Sequence, residues 1–116
     1  MAVHFTTTAP HALLNEFDER IRQNEVTGKI TTWEKSADGI YYTHKATDWH
    51  AKAWMKPVVM SDQLVFNIIK PKNANVSSVA YGYYHGHLTE TFLNHFDKMF
   101  AFAMSSALPS AGDLIS

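Results

Sequence analysis

Between Lys29 and Leu88 the chain is rich in β-branched and aromatic residues, punctuated by polar turn signals. No connection in that stretch is long enough to hold a crossover helix. Parallel neighbours need a crossover of about a dozen residues, so consecutive strands here must run antiparallel. Ile30–Lys35 and Ile40–Ala46 flank Ala37-Asp38-Gly39, a hairpin signal. Trp49–Val59 and Gln63–Lys70 flank Ser61-Asp62. Pro71–Asn75 reads as a loop, and Val76–His87 as a fifth strand because its aromatic residues and glycines alternate.

Helical patterns flank this region. Thr8 reads as an N-cap with Pro10 in the first turn. Pro10, Leu13, Leu14, Phe17 and Ile21 recur on one stripe, polar residues fill the other side, and Gly28 closes the segment. Thr89 reads as the cap of a second helix. Phe92, Leu93, Phe96, Met99, Phe100 and Ala103 form its apolar stripe, and Pro109 stops it. The expected architecture is therefore α+β, in the order α-β-β-β-β-β-α. It is a five-stranded antiparallel meander with the N- and C-terminal helices packed on one face. Residues 1–116 read as one domain, with 1–7 and 110–116 as flexible ends.

The tight turns predict the registers. A two-residue turn at Asp38-Gly39 sets Trp33 opposite His44 and Lys35 opposite Tyr42. A short turn at Ala46-Thr47 sets His44 opposite Trp49 and Tyr42 opposite Ala51. A turn at Ser61-Asp62 sets Val59 opposite Leu64, Pro57 opposite Phe66 and Met55 opposite Ile68. All three agree on one face, carrying Trp33, Ile40, Tyr42, His44, Trp49, Ala51, Ala53, Met55, Val59, Leu64, Phe66 and Ile68, which is the expected core. The other face carries Glu34, Tyr41, Thr43, His50, Lys52, Trp54, Lys56, Val58, Val65, Asn67 and Ile69. A sheet face open to water is normally plainer than this, so the face is expected to be covered by something.

Candidate working residues follow from that assignment. Tyr41, His50, Lys52 and Trp54, with Tyr81 and Tyr83 of the fifth strand, form a surface suited to a dimer interface or a small ligand. Tryptophan and tyrosine suit either use; a flat sheet face favours the interface. His85 and His87 two apart on a strand would point the same way and offer a pair of ligands to a divalent metal. Trp33, Tyr42, His44, Trp49 and Phe66 are the lining expected of any interior pocket.

Composition removes other classes. There is no cysteine, so disulfides, thiolate metal sites and cysteine nucleophiles are impossible. A net charge of -1 disfavours nucleic acid as a partner. No apolar run approaches the ~20 residues of a membrane span, and the opening MAVHFTTTAP lacks the pattern of a secretion signal. A cytoplasmic location is the matching expectation. No HExxH, GxSxG or glycine-rich phosphate loop is present, and no residue is assigned a catalytic role. The expected function is self-association or partner binding through the outer sheet face, without a cofactor. The alternatives are a small-molecule or catalytic protein with an aromatic and histidine-lined pocket, and the histidine metal site.

Overall fold

The computed structural model describes residues 1–116. It contains a single antiparallel sheet and two helices, with six strands rather than five. In chain order the elements are β1 (Val3–Thr6), α1 (Pro10–Arg22), β2 (Trp33–Lys35), β3 (Tyr42–His44), β4 (Trp54–Val59), β5 (Gln63–Ile69), α2 (Ser78–Phe96) and β6 (Phe102–Ser105). The sheet order is β2-β3-β4-β5-β1-β6. The meander of β2 to β5 is as expected. Both ends of the chain then return to its open side, β1 beside β5 and β6 beside β1.

Two of the three expected registers are observed. Trp33 faces His44 and Lys35 faces Tyr42; Val59 faces Leu64, Pro57 faces Phe66 and Met55 faces Ile68. The third is displaced. Tyr42 pairs with Met55 rather than with Ala51, because residues 45–53 form a loop and Trp49 lies outside any strand. Ala46 O accepts from the backbone of both Trp49 and His50, and Ala51 takes a left-handed turn at φ 57°. The slip is an even number of residues. Side chains alternate with period two, so Met55 keeps its predicted core side.

The larger correction is the fifth strand. Residues Ser78–Phe96 are one continuous helix, so Val76–His87 is not a strand and Thr89 is not a cap. Ser77 caps it, its hydroxyl accepting the Ala80 N–H at 3.1 Å. Ala80, Tyr84, Leu88, Phe92 and Phe96 are buried at intervals of four, the spacing of one helix face. Residues 102–105, expected within the second helix, instead form β6. At the other end, α1 begins at Pro10 as predicted, but Thr8 is not its cap: Ala9 holds that position, and the Thr7 hydroxyl accepts the Ala9 N–H.

Both helices cover one sheet face. Leu13 and Phe17 of α1 meet Tyr84, Leu88, Phe92 and Phe96 of α2 over Val3, Phe5, Trp33, Tyr42, Met55, Leu64, Phe66 and Ile68. Phe92 stacks on Phe5 at 4.2 Å and lies 5.0 Å from Phe17. Burying each such ring contributes about 1.5–3 kcal/mol. The opposite face is left to solvent, the strand edges and the C-terminal segment. Asn67, on that side of β5, donates to Ala111 O and to the Asp113 carboxylate, and Asp113 also accepts from the Ile68 and Ser110 N–H groups. Burial pulls the Asp113 pKa up, but these donors outweigh it and leave the group below the usual carboxylate value.

Candidate functional site

Pairing partners define the helix-free face strand by strand. Val58, Val65, His4 and Met104 form one row across β4, β5, β1 and β6; Gln63, Thr6 and Phe102 form the next. Val65 is buried, but Val58 is 40%, Met104 53% and Phe102 69% exposed, with Met60 beyond the end of β4 at 46%. His4 Nδ1 lies 3.0 Å from Gln63 Oε1 in the middle of the patch. Neither row contains an Asp, Glu, Lys or Arg. β6 is also the last strand of the sheet, and its sequence Phe-Ala-Met-Ser has no charge and no proline.

The other end of the same face holds a cleft of about 410 Å³. Trp54 and Ile69, cross-strand partners, form its floor, and the Tyr41 ring meets Trp54 edge-on at 6.5 Å. Lys70 and Lys72 enter its lining from the end of β5 and Asp38 from the β2–β3 turn, with β3 and β4 between those strands. The Ser36 hydroxyl and the Ile40 N–H donate to Asp38 and hold its carboxyl below the usual range.

Of the residues singled out from sequence, Tyr41 and Trp54 are thus brought together. His50 pairs with Glu34 across the loop, and Lys52 is exposed beside it. The remaining four lie on α2, on the far side of the sheet. Tyr81 donates to Ser106 O and packs on His85; Tyr83 stacks on Trp49 at 4.1 Å and 9° between planes. Residues two apart on a helix diverge by about 200°, so His85 and His87 face different sides. The His85 ring lies between two carbonyls, Tyr81 O at 2.8 Å and Met1 O at 2.6 Å. Burial lowers its pKa against the pull of both carbonyls. The pair expected to hold a metal is therefore separated by the helix.

His87 meets a different partner. Its Nδ1 lies 2.6 Å from His44 Nε2, and its Nε2 lies 3.3 Å from the Glu90 carboxylate. The Ala46 N–H donates to His44 Nδ1 at 3.0 Å. That bond places the proton of neutral His44 on Nε2, from which it donates to His87 Nδ1. His87 then carries its proton on Nε2 and donates to Glu90. The chain runs in one direction, from a backbone amide through two imidazoles to a carboxylate at the surface. Trp33 and Tyr83 wall it on either side, with Trp33 anchored through its indole N–H to the Thr91 hydroxyl at 3.1 Å. Desolvation first, and then the neighbouring His87, push the His44 pKa down to about 4. Sequence reasoning separated His44 from His87 by treating α2 as a strand. The i+3 spacing of His87 and Glu90 was visible; their link to His44 requires the tertiary fold.

A comparison with known families, with curated proteins and with solved structures finds no match to this chain. The fold class is therefore stated from the architecture alone: α+β, one antiparallel sheet with both helices on one side. No helix is long and apolar enough to cross a membrane.

Proposed function

We propose that this protein works by self-association, with a second copy of the chain as the partner of its helix-free face. The observation that carries the reading is the uncharged apolar patch of Val58, Met60, Phe102 and Met104, which adjoins the free edge of β6. Edge strands that must stay unpaired are usually blunted with charge, proline or a bulge; β6 carries neither charge nor proline. An uncharged surface offers nothing to a strongly charged partner, and a two-fold axis brings it against itself without repulsion. Antiparallel pairing of β6 with its copy would extend the sheet across the dimer and bury Phe102 and Met104 together. A cytoplasmic location accompanies this proposal, in keeping with a chain that has no cysteine to oxidise. A catalytic role forms no part of it.

Native mass spectrometry and light scattering provide the test. The wild-type chain is expected to be dimeric at micromolar concentration. Phe102→Glu with Met104→Glu is expected to be a folded monomer, since both side chains are already exposed in one chain. A monomeric wild type throughout that range, or a double variant that stays dimeric, removes the proposal.

A further inference from the structure

The Tyr41–Trp54 cleft has a chemistry that self-association through β6 does not use. It lies over β4 and the end of β5, on the β3 side of the sheet, with β1 between β5 and β6. Its volume of about 410 Å³ falls within the range of small-molecule sites, about 300–1,000 Å³. The floor is flat and apolar, made by the Trp54 indole and Ile69, with Pro71 at the side. Neither Lys70 nor Lys72 has a carboxylate within ion-pair distance. The one acid in the lining, Asp38, comes from the β2–β3 turn, across β3 and β4 from the lysines, and its carboxylate is engaged by Ser36 and Ile40. The Tyr41 hydroxyl and the Trp54 indole N–H make no hydrogen bond within the protein, although the structure has no unsatisfied buried polar side-chain atom. Both are donors left free at the cleft.

We infer that this cleft binds a small planar organic acid. The ring lies on Trp54, and the acid group is held by Lys70 and Lys72. Trp54 supplies a stacking face and Tyr41 an edge, the arrangement that favours a flat ligand over a branched one. Two ammonium groups without partners, joined by an indole N–H and a phenol O–H, form a donor set that calls for an acceptor-rich anion. Asp38 gives the cleft a direction. It repels the acid from the β2–β3 turn, so that the anionic end goes to the lysines and any donor on the ligand's other end faces the aspartate.

The probes are 2-naphthoate and its uncharged amide, 2-naphthamide, followed by proton–nitrogen NMR of the labelled full chain. The wild type is expected to show saturable shifts of the Trp54 indole N–H and of the Ile69–Lys72 amides with naphthoate. Binding of the amide is expected to be about tenfold weaker, the value of one charge-assisted contact. Lys70→Gln with Lys72→Gln, a surface change that leaves the floor intact, is expected to lose about the same factor. Trp54→Leu is expected to abolish the shifts of the loop amides. The inference is overturned if naphthamide binds as well as naphthoate, if the double lysine variant binds naphthoate unchanged, or if millimolar naphthoate shifts neither Trp54 nor the Ile69–Lys72 amides. The Phe102→Glu, Met104→Glu variant is expected to bind naphthoate as the wild type does. The site and the proposed dimer interface therefore stand or fall separately.

Discussion

At the scale of single residues, His44 is the most consequential buried group. Its side chain is 3% exposed, and both ring nitrogens are occupied, one by the Ala46 N–H and one by His87. Protonating it sets an N–H against the Ala46 N–H. Its pKa is about 4 in the native state, against about 6.5 in the unfolded chain. Between these values the unfolded chain takes up a proton that native His44 refuses. His44 therefore costs nothing above pH ~6.5 and lowers stability progressively as the pH falls towards 4, by up to about 3 kcal/mol. Denaturant melts of the wild type and of His44→Asn, compared at intervals from pH 7 to pH 4, measure this. The wild type is expected to lose more stability over that window than the variant. Parallel curves would show that His44 is not the group responsible. The sequence showed the aromatic neighbours of His44, since Trp33 stands opposite it in the hairpin register. It did not show His87, 43 residues away.

At the scale of elements, α2 shows why alternation misled. Residues spaced by four are also spaced by two, so the buried series Ala80, Tyr84, Leu88 satisfies a strand pattern as well as a helix pattern. Tyrosine and valine added strand propensity, and Gly82 and Gly86 weakened the helical case. The deciding signals were Ser77 as a cap and the continuation of the stripe to Phe92 and Phe96. Both glycines have negative φ within the helix and open space where a Cβ would stand. Gly82→Ala and Gly86→Ala are each expected to stabilise the protein, by about 0.5–1 kcal/mol in chemical denaturation. As strand positions packed closely on a helix they would instead destabilise it. Ser77→Ala is expected to cost about 1 kcal/mol through loss of the cap, read as a lower denaturation midpoint at unchanged slope. The short strands β1 and β6 carry a weaker signal. Val3 and Phe5 alternate with His4 and Thr6, but four residues are too few to declare a strand without a neighbour to pair with.

At the scale of the whole molecule, the two ends of the chain complete the sheet, and this joining creates the proposed interface. β6 reaches its place only because α2 stops at Phe96; Thr7 then donates to Met99 O, and Thr6 O accepts from Ala101. The row of Val58, Val65, His4 and Met104 joins the β4–β5 hairpin to both ends of the chain. Removing the Phe102 and Met104 side chains from the patch tests the assembly without touching the core, because both point away from Phe5 and Val3. The double glutamate variant is expected to keep the wild-type midpoint, measured at a concentration where both are monomeric, to within about 0.5 kcal/mol. A collapse of stability would show that the patch faces inward.

By itself the sequence determined what short-range physics controls. The α+β class, the antiparallel β2–β3 and β4–β5 hairpins with their registers, the body of α1 and the face that forms the core all follow from local turns and side-chain alternation. Tyr41 and Trp54 were legible as a surface pair for the same reason, because a pleated sheet separates its two faces residue by residue. Only the tertiary structure decided the rest: that the chain's two ends enter the sheet beside β5, and that His44 meets His87. Each of these depends on contacts between residues far apart in the chain. Their energy is gained only when distant segments meet, and no local pattern records it.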